Sequence, residues 1–367
     1  MAADLVIGID CGTSSCKAVL WNREGEAVSE GRAEIGMSRP RPSWHEQSAE
    51  EWWRATRDAL CQAAAAVDPS RIAALCVANQ RESFVPVDRE GRPLREAILW
   101  MDERARSLLP GLSRAFGEDR FREITGKPLS GNLSVGKLEW LRINEPGPFR
   151  AAHKFLDTQA FLVHRLSGAF RTSWASADPT GLFDMGRNAW SAEILAGIGL
   201  DESRFPEALP PGAILGTVSA AAASSCGLPA GIPLVAGLGD GQAAGLGAGI
   251  TRPGECYLSL GTSIVSGAFS PAYATSRAFR AMYGGLPGSY LFETVLLGGA
   301  YTVQWFMERF AAAEPESAAN APEDDRLEAA AQALPPGALG LMLVPYWNSA
   351  MNPYWDAGAS GITVGWR

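Results

Sequence analysis

A chain of 367 residues is too long for one ordinary domain and suits two, at roughly 100 to 200 residues each. Hydrophobic residues make up 47% and charged residues 20%, which excludes an extended disordered chain. The formal charge of −8 excludes the basic stripe of a nucleic-acid binder and says nothing positive about partners. Met1 to Asp4 runs into the apolar Leu5-Val6-Ile7-Gly8-Ile9 without a basic segment or cleavage site, so no secretory leader is expected. No apolar run reaches the ~18 residues of a membrane span. The six cysteines form no CxxC pair, and with only three histidines a zinc site is not expected. Buried free thiols in a reducing cytosol are the expectation, and the chain reads as a soluble cytoplasmic protein.

The opening predicts strand, turn and strand. Leu5 to Ile9 is apolar, Cys11 to Ser15 is a polar tight turn, and Lys17 to Trp21 resumes the strand. Asn22 to Glu26 makes a second turn. Ser48-Ala49-Glu50-Glu51 has capping-box spacing ahead of a helix over Trp52 to Ala66. Strands are expected at Ile72 to Ala78, Phe84 to Val87 and Ala97 to Trp100, with a turn at Asp88 to Gly91. Asp157 reads as the N-cap of a helix through Leu166, stopped by Gly168. Strands alternating with helices predict an α/β domain with a mixed sheet.

Glu255 to Leu260, Gly261-Thr262-Ser263 and Ile264-Val265 repeat the opening device of strand, Gly-Thr-Ser turn and strand. The repetition predicts an internal duplication, with a boundary near Gly249 after the glycine-dense stretch from Gly237. Ala311 to Arg326 reads as an exposed loop between two helices.

A Gly-Thr-Ser turn directs several backbone amides and hydroxyls at one point, which suits a phosphate. Asp10 at the strand end could orient Mg²⁺, and Lys17 adds a point charge. The bland alternative is a plain hairpin turn. Gly237 to Gln242 follows a strand over Pro233 to Ala236 and precedes a helix. There Asp240 is either an N-cap or a general base towards a substrate hydroxyl. Arg81 and Glu82 could grip vicinal hydroxyls, or form a solvated surface pair. Trp100 could wall a sugar ring, or fill core. Gly131 to Leu138 has Walker A spacing, but Leu138 replaces the Ser/Thr that binds Mg²⁺ and no apolar strand precedes it, so a P-loop is rejected. Neither GxGxxG nor GxSxG occurs.

The ordered set Ile7 to Lys17, Trp44-His45-Glu46-Gln47, Ala97 to Asp102, Gly239 to Gln242, Leu258 to Ser263 and Pro353 to Asp356 resembles the FGGY carbohydrate kinases over essentially the whole chain. The resemblance implies duplicated actin-like (ribonuclease H-like) α/β domains flanking a cleft. Residues 1–249 would be the sugar-binding domain and 250–367 the nucleotide-binding domain. It implies ATP as donor, Mg²⁺ held through Asp10, and a small sugar or polyol as acceptor, with no nucleic acid or membrane partner and with a homodimer allowed. By this resemblance Asp240 is the catalytic base, and Arg81, Glu82, Trp100, Asn132, Asp240 and Gly241 contact the acceptor. Asp10, Gly12, Thr13, Ser14 and Lys17 form the first phosphate site. Gly261, Thr262 and Ser263 form the second, with Gly299 and Gln304 as further nucleotide contacts.

The acceptor stays open among a xylulose-like ketopentose, a tetritol and glycerol. Asn79 to Glu82 and Pro353 to Asp356 are similar to glycerol kinases, whereas Lys17 and the run from Trp44 to Trp53 are similar to xylulokinases. Gly241 stands where glycerol kinases place a glutamine, and Asn132 roughly where they use a tyrosine. The family continues past the equivalent of Gly361 to Trp366, so the second domain is expected to be incomplete. A catalytically impaired sugar-binding fragment and a sugar-sensing protein on the same fold stand as alternatives.

Overall fold

The computed structural model describes residues 3–261, 263–310, 323–347, 349–356 and 358–366. Residues 1–257 and 267–293 form one compact unit, and residues 258–266 and 294–367 form a second.

The first unit is built on a six-stranded sheet. Strands β1 (Leu5–Cys11), β2 (Ser15–Trp21) and β3 (Ala27–Glu34) form an antiparallel meander. β1 also pairs in parallel with Ile72–Asn79, which pairs in parallel with Pro233–Val235, and Ile214–Thr217 closes the sheet antiparallel. Burial in β1 follows the two-residue period of a strand. Leu5, Ile7, Ile9 and Cys11 are buried, while Val6 and Asp10 are exposed. Helix α1 (Ala49–Ala64) covers the apolar face with Trp52, Ala55, Thr56, Ala59, Leu60 and Ala63, the spacing of one helical stripe. Helix Thr158–Ser167 joins the same core through Phe161 and Leu162. Its Asp157 side chain accepts from the Ala160 amide, and Gly168 ends it in the left-handed conformation at φ 79°.

A smaller antiparallel sheet, ordered Glu46–Gln47, Ala97–Ile98, Phe84–Val87 and Lys154–Asp157, carries a second core around Phe84, Phe121, Leu138 and Phe155. Later in the chain, Arg280–Tyr283 pairs antiparallel with Tyr290–Leu296, setting Arg280 directly opposite Glu293.

In the second unit, Met342–Val344 pairs antiparallel with Ile362–Val364. The Trp305 ring, on helix Ala300–Phe310, meets the Trp347 ring edge-on at 5.2 Å. Residues 311–322 of the expected loop lie outside the described residues, and its last part is helical, because Glu323–Gln332 forms a helix of good helix formers. No helix among the described residues is long and apolar enough to cross a membrane.

Three local expectations need correction. Ser48 occupies the N-cap of α1, but its side chain makes no capping hydrogen bond; the contact there is the Glu51 amide donating to the Ser48 carbonyl at 3.0 Å. The strand expected over Ala97 to Trp100 ends at Ile98, because the chain turns at Trp100 and Met101. All six cysteines are free as expected, but Cys61 and Cys256 are exposed rather than buried.

β3 and α1 approach so closely that a Cβ on Gly31 would overlap the Ala59 carbonyl oxygen and stand 2.6 Å from the Gln62 Cβ. The Ser29 hydroxyl donates to the Ala63 carbonyl at 2.9 Å on the same interface. Gly31→Ala is therefore expected to lower the unfolding free energy by ~1–3 kcal/mol, the usual range for overpacking. Urea unfolding checks it, and an unchanged midpoint would mean that the helix shifts freely.

Candidate active site

The β1–β2 turn closes with the Gly12 amide donating to the Ser15 carbonyl at 3.0 Å. Side chains hold it from behind. Gln47 Nε2 donates to the Thr13 carbonyl at 2.5 Å, and Gln80 Nε2 donates to the Gly12 carbonyl at 3.3 Å and to Gln47 Oε1 at 3.2 Å. Trp52 Nε1 donates to Gln47 Oε1 at 2.8 Å, anchoring the network in the core of α1. Trp100, expected as an apolar wall or as core, donates its indole N–H to the Thr13 hydroxyl at 3.0 Å, and its own amide donates to the Ser83 hydroxyl at 3.0 Å. Ser14 is exposed. Lys17 stands opposite Asp10 in the β1–β2 register, but its ammonium pairs with Glu30 at 2.8 Å, because that carboxylate lies on the neighbouring strand.

The Gly237–Gln242 segment runs beside the end of strand Ile72–Asn79, with the Asn79 amide donating to the Leu238 carbonyl at 3.3 Å. Gly239 takes the N-cap, so Asp240 is the first residue of helix Asp240–Gly247 rather than its cap. Its Oδ1 accepts from the Gly241 amide at 2.8 Å and pairs with Arg81 Nε at 3.0 Å. Asp10 lies close enough to feel this carboxylate. Partial desolvation raises the Asp10 pKa, Asp240 raises it further, and Lys17 opposes both.

Arg81 and Glu82 are not a surface pair. Glu82 is 4% exposed and takes a positive φ of 57°. Arg81 Nη1 pairs with Glu293 Oε2 at 2.8 Å, Glu293 Oε1 pairs with Arg280, and Arg280 Nη1 pairs with Glu82 Oε1 at 2.7 Å. Charges thus alternate from Asp240 through Arg81, Glu293 and Arg280 to Glu82. Asn132 joins at the far end, its Nδ2 3.5 Å from Glu82 Oε1 and its Oδ1 accepting from Ser130 at 2.6 Å. Burial alone would raise the Glu293 pKa, but the guanidiniums of Arg81 and Arg280 outweigh it and hold the carboxyl at about 2. Gly241 leaves room for this network, since a Cβ there would stand 2.9 Å from Glu293 Oε2 and 3.0 Å from Arg81 Nη2.

In the second unit the Gly261 amide donates to the Ser263 carbonyl at 3.1 Å, and the Gly261 carbonyl accepts from the Ala300 amide at 2.9 Å. Thr262 lies outside the described residues. Gly299 is buried before helix Ala300–Phe310, and Gln304 is exposed on that helix. The sequence reading missed Arg280, Glu293, Gln47 and Gln80. A cross-strand Arg–Glu pair was available as a signal only once the pairing of their strands was known. No cluster of three or more metal-ligating side chains occurs among the described residues.

Glu293→Gln is expected to cost ~3–5 kcal/mol, because it leaves buried guanidiniums short of a carboxylate. A carboxyl depressed below its unfolded value of ~4.3 contributes stability that is present above that value and lost as pH falls towards about 2. Acid unfolding of the variant should therefore show a shallower loss over that window than the parent, read from urea titrations at successive pH values. Superimposable profiles would remove Glu293 from the network.

The model for the FGGY family of carbohydrate kinases, N-terminal domain, matches residues 5–247, and the model for the C-terminal domain of the same family matches residues 256–367. The xylulose kinase of Escherichia coli K12 is 31% identical over 363 residues, covering 98% of this chain and 72% of that protein. A glycerol kinase of Thermococcus gammatolerans is 30% identical over 376 residues, covering 98% and 72%. The crystal structure of xylulose kinase from Rhodospirillum rubrum superposes with a TM-score of 0.90 at 28% identity, covering 99% of this chain and 73% of that one. With both family domains matched in order and the duplicated two-domain α/β fold in place, the chain belongs to the FGGY family of carbohydrate kinases, phosphotransferases that use an alcohol group as acceptor.

Proposed function

We propose that this chain transfers a phosphoryl group from ATP to a hydroxyl of a small uncharged sugar or polyol, with a ketopentose, a tetritol or glycerol as the acceptors to test. The observation that carries this reading is the position of Asp240. It opens a helix, is held through Oδ1 by Arg81 and the Gly241 amide, and lies near enough to Asp10 for the two carboxylates to repel. Both contacts engage Oδ1, and the half-exposed side chain leaves the carboxylate within reach of an acceptor hydroxyl. A sugar hydroxyl is a weak acid, so the proton moves to Asp240 late, as the new bond to phosphorus forms.

Glu82 and Asn132 offer an acceptor and a donor to acceptor hydroxyls, and Trp100 offers its ring face. Arg280 and Arg81 are each neutralised by two carboxylates, which supports an uncharged acceptor. Gly12, Thr13 and Ser14 form the first phosphate turn, with Asp10 and Lys17 beside it. Gly261, Thr262, Ser263, Gly299 and Gln304 supply nucleotide contacts from the second unit's own turn and helix.

Asp10 suits Mg²⁺, because its carboxylate is exposed and under repulsion from Asp240, which a cation relieves. Mg²⁺ bound with ATP would neutralise phosphate charge; the chain's own residues orient the acceptor and take its proton.

A coupled ADP-release assay across ketopentoses, tetritols and glycerol tests the reading, and ADP release that ignores every acceptor would refute it. Asp240→Asn should lower turnover by ~10²–10⁴ while acceptor binding stays within about tenfold. Turnover within a few-fold of the parent would take the base role away from Asp240. Glu82→Ala should raise the acceptor KM well above any change for ATP, in line with the ~1–3 kcal/mol of a buried polar group left unpaired. Equal effects on both substrates would place Glu82 outside the acceptor site.

A further inference from the structure

The segment rejected as a phosphate loop contains a lysine with a different task. Lys137 lies on helix Ser134–Asn144 and is fully buried. Its Nζ donates to the main-chain carbonyls of Leu99 at 2.8 Å, Glu82 at 3.2 Å and Trp100 at 3.2 Å. An ammonium has three donors and no acceptor, so all three protons are used and none goes to a carboxylate. A buried charge held only by carbonyl dipoles is costly to desolvate, and an apolar side chain of similar length would fill the space without that cost.

The three carbonyls are not arbitrary. They belong to two separate segments, one carrying Glu82 and the other carrying Leu99 and Trp100. Glu82 sits at φ 57°, a conformation that a non-glycine residue keeps only where its surroundings impose it. Two groups on the first turns of one helix impose it here, because the Ser134 hydroxyl also donates to the Glu82 carbonyl at 2.9 Å.

We propose that Lys137 is a positioning residue for acceptor recognition: its ammonium clamps the Glu82 and Trp100 main chains together, so that the Glu82 carboxylate and the Trp100 ring address one acceptor. The proposal rests on the reading of Glu82 and Trp100 as acceptor contacts. The clamp works only while the group is charged. A neutral amine has two donors and a lone pair, so one of the three carbonyls loses its proton donor and faces electron density instead.

The surroundings set this charge close to its limit. Burial pushes the Lys137 ammonium down to about 7, with Glu82 and Asp102 favouring the charge and Arg104 opposing it. Asp102 and Arg104 pair with each other at 2.8 Å, and Arg104 reaches Glu46 at 2.7 Å, so those two facing groups largely offset one another. By linkage, an acceptor that needs the clamp favours the protonated lysine, and its affinity falls as pH rises past neutrality.

The test compares the parent protein with Lys137→Met, Lys137→Arg and Glu82→Ala, using D-xylulose and glycerol as acceptor probes. Acceptor KM, ATP KM and kcat are measured across neutral pH. Lys137→Met should raise the acceptor KM roughly 5- to 150-fold and leave the ATP KM within about twofold. The parent's acceptor KM should climb on the alkaline side of neutrality. That climb should vanish in Lys137→Met and move to higher pH in Lys137→Arg, which keeps its charge. Lys127 is also buried and pushed down to about 8, so the limb lost in Lys137→Met and moved in Lys137→Arg, rather than any alkaline limb, is the signature. If Lys137→Met fails a circular-dichroism check of folding, the shift of the limb in Lys137→Arg decides alone. An alkaline limb unchanged in the variants, or equal rises in both KM values, overturns the clamp. Glu82→Ala raising the acceptor KM while Lys137→Met does not would overturn the clamp and keep the acceptor site. No effect from Glu82→Ala, or no turnover of either probe at any pH, removes the acceptor site and the clamp with it.

Discussion

Five side chains alternating in charge, Asp240, Arg81, Glu293, Arg280 and Glu82, constrain everything around them. Three of the four links join groups that solvent barely reaches, so none of the partners can leave without exposing an uncompensated buried charge. Its two ends are carboxylates of different character. Asp240 is about half exposed, at 48%, and belongs to a helix start, whereas Glu82 is buried on a strained stretch of backbone. Because the links are directional, a displacement at one end is felt at the other, and the distance between proposed base and proposed acceptor contact is fixed by side chains that need never touch substrate.

A second network ties the β1–β2 turn to the same region. Trp52 in the core of α1 orients Gln47, Gln47 and Gln80 grip the carbonyls of Thr13 and Gly12, and Trp100 reaches the Thr13 hydroxyl. Amides on a turn attract a phosphate only if the turn is already in the binding geometry, since ordering it on demand would subtract from affinity. Here the side chains of Gln47, Gln80 and Trp100 hold the turn through its carbonyls and the Thr13 hydroxyl.

The sequence was most legible where function is local in the chain. The turn from Gly12 to Ser15 and the Gly239-Asp240-Gly241 step each fit within a few residues, and both lie at strand ends of the kind expected. Asp240 was displaced by one position from its expected place as a cap, because Gly239, at φ −63° and ψ 155°, can already take the extended N-cap conformation and lets the helix begin at the aspartate. Legibility failed where the partner is remote. Glu293 lies 212 residues from Arg81, and Arg280 lies 198 from Glu82. Nothing in the local pattern marks either one until Arg280–Tyr283 and Tyr290–Leu296 are seen to pair in a register that sets them opposite. Lys137 was hidden for another reason. Its neighbours imitate a nucleotide motif, while its partners are main-chain carbonyls, which no side-chain pattern encodes.

The glycines flanking Asp240 give this same network its space. At Gly239 a Cβ would overlap the side chain of Gln242 and stand 2.6 Å from Arg81 Cγ; at Gly241 it would crowd Glu293 and Arg81. Arg81 is therefore seated in space that glycine leaves empty on both sides of Asp240. A side chain after the aspartate would press on the far ends of Arg81 and Glu293, which would have to shift to admit it. Gly241 thus leaves the volume beside Asp240 to a guanidinium and a carboxylate already committed to each other.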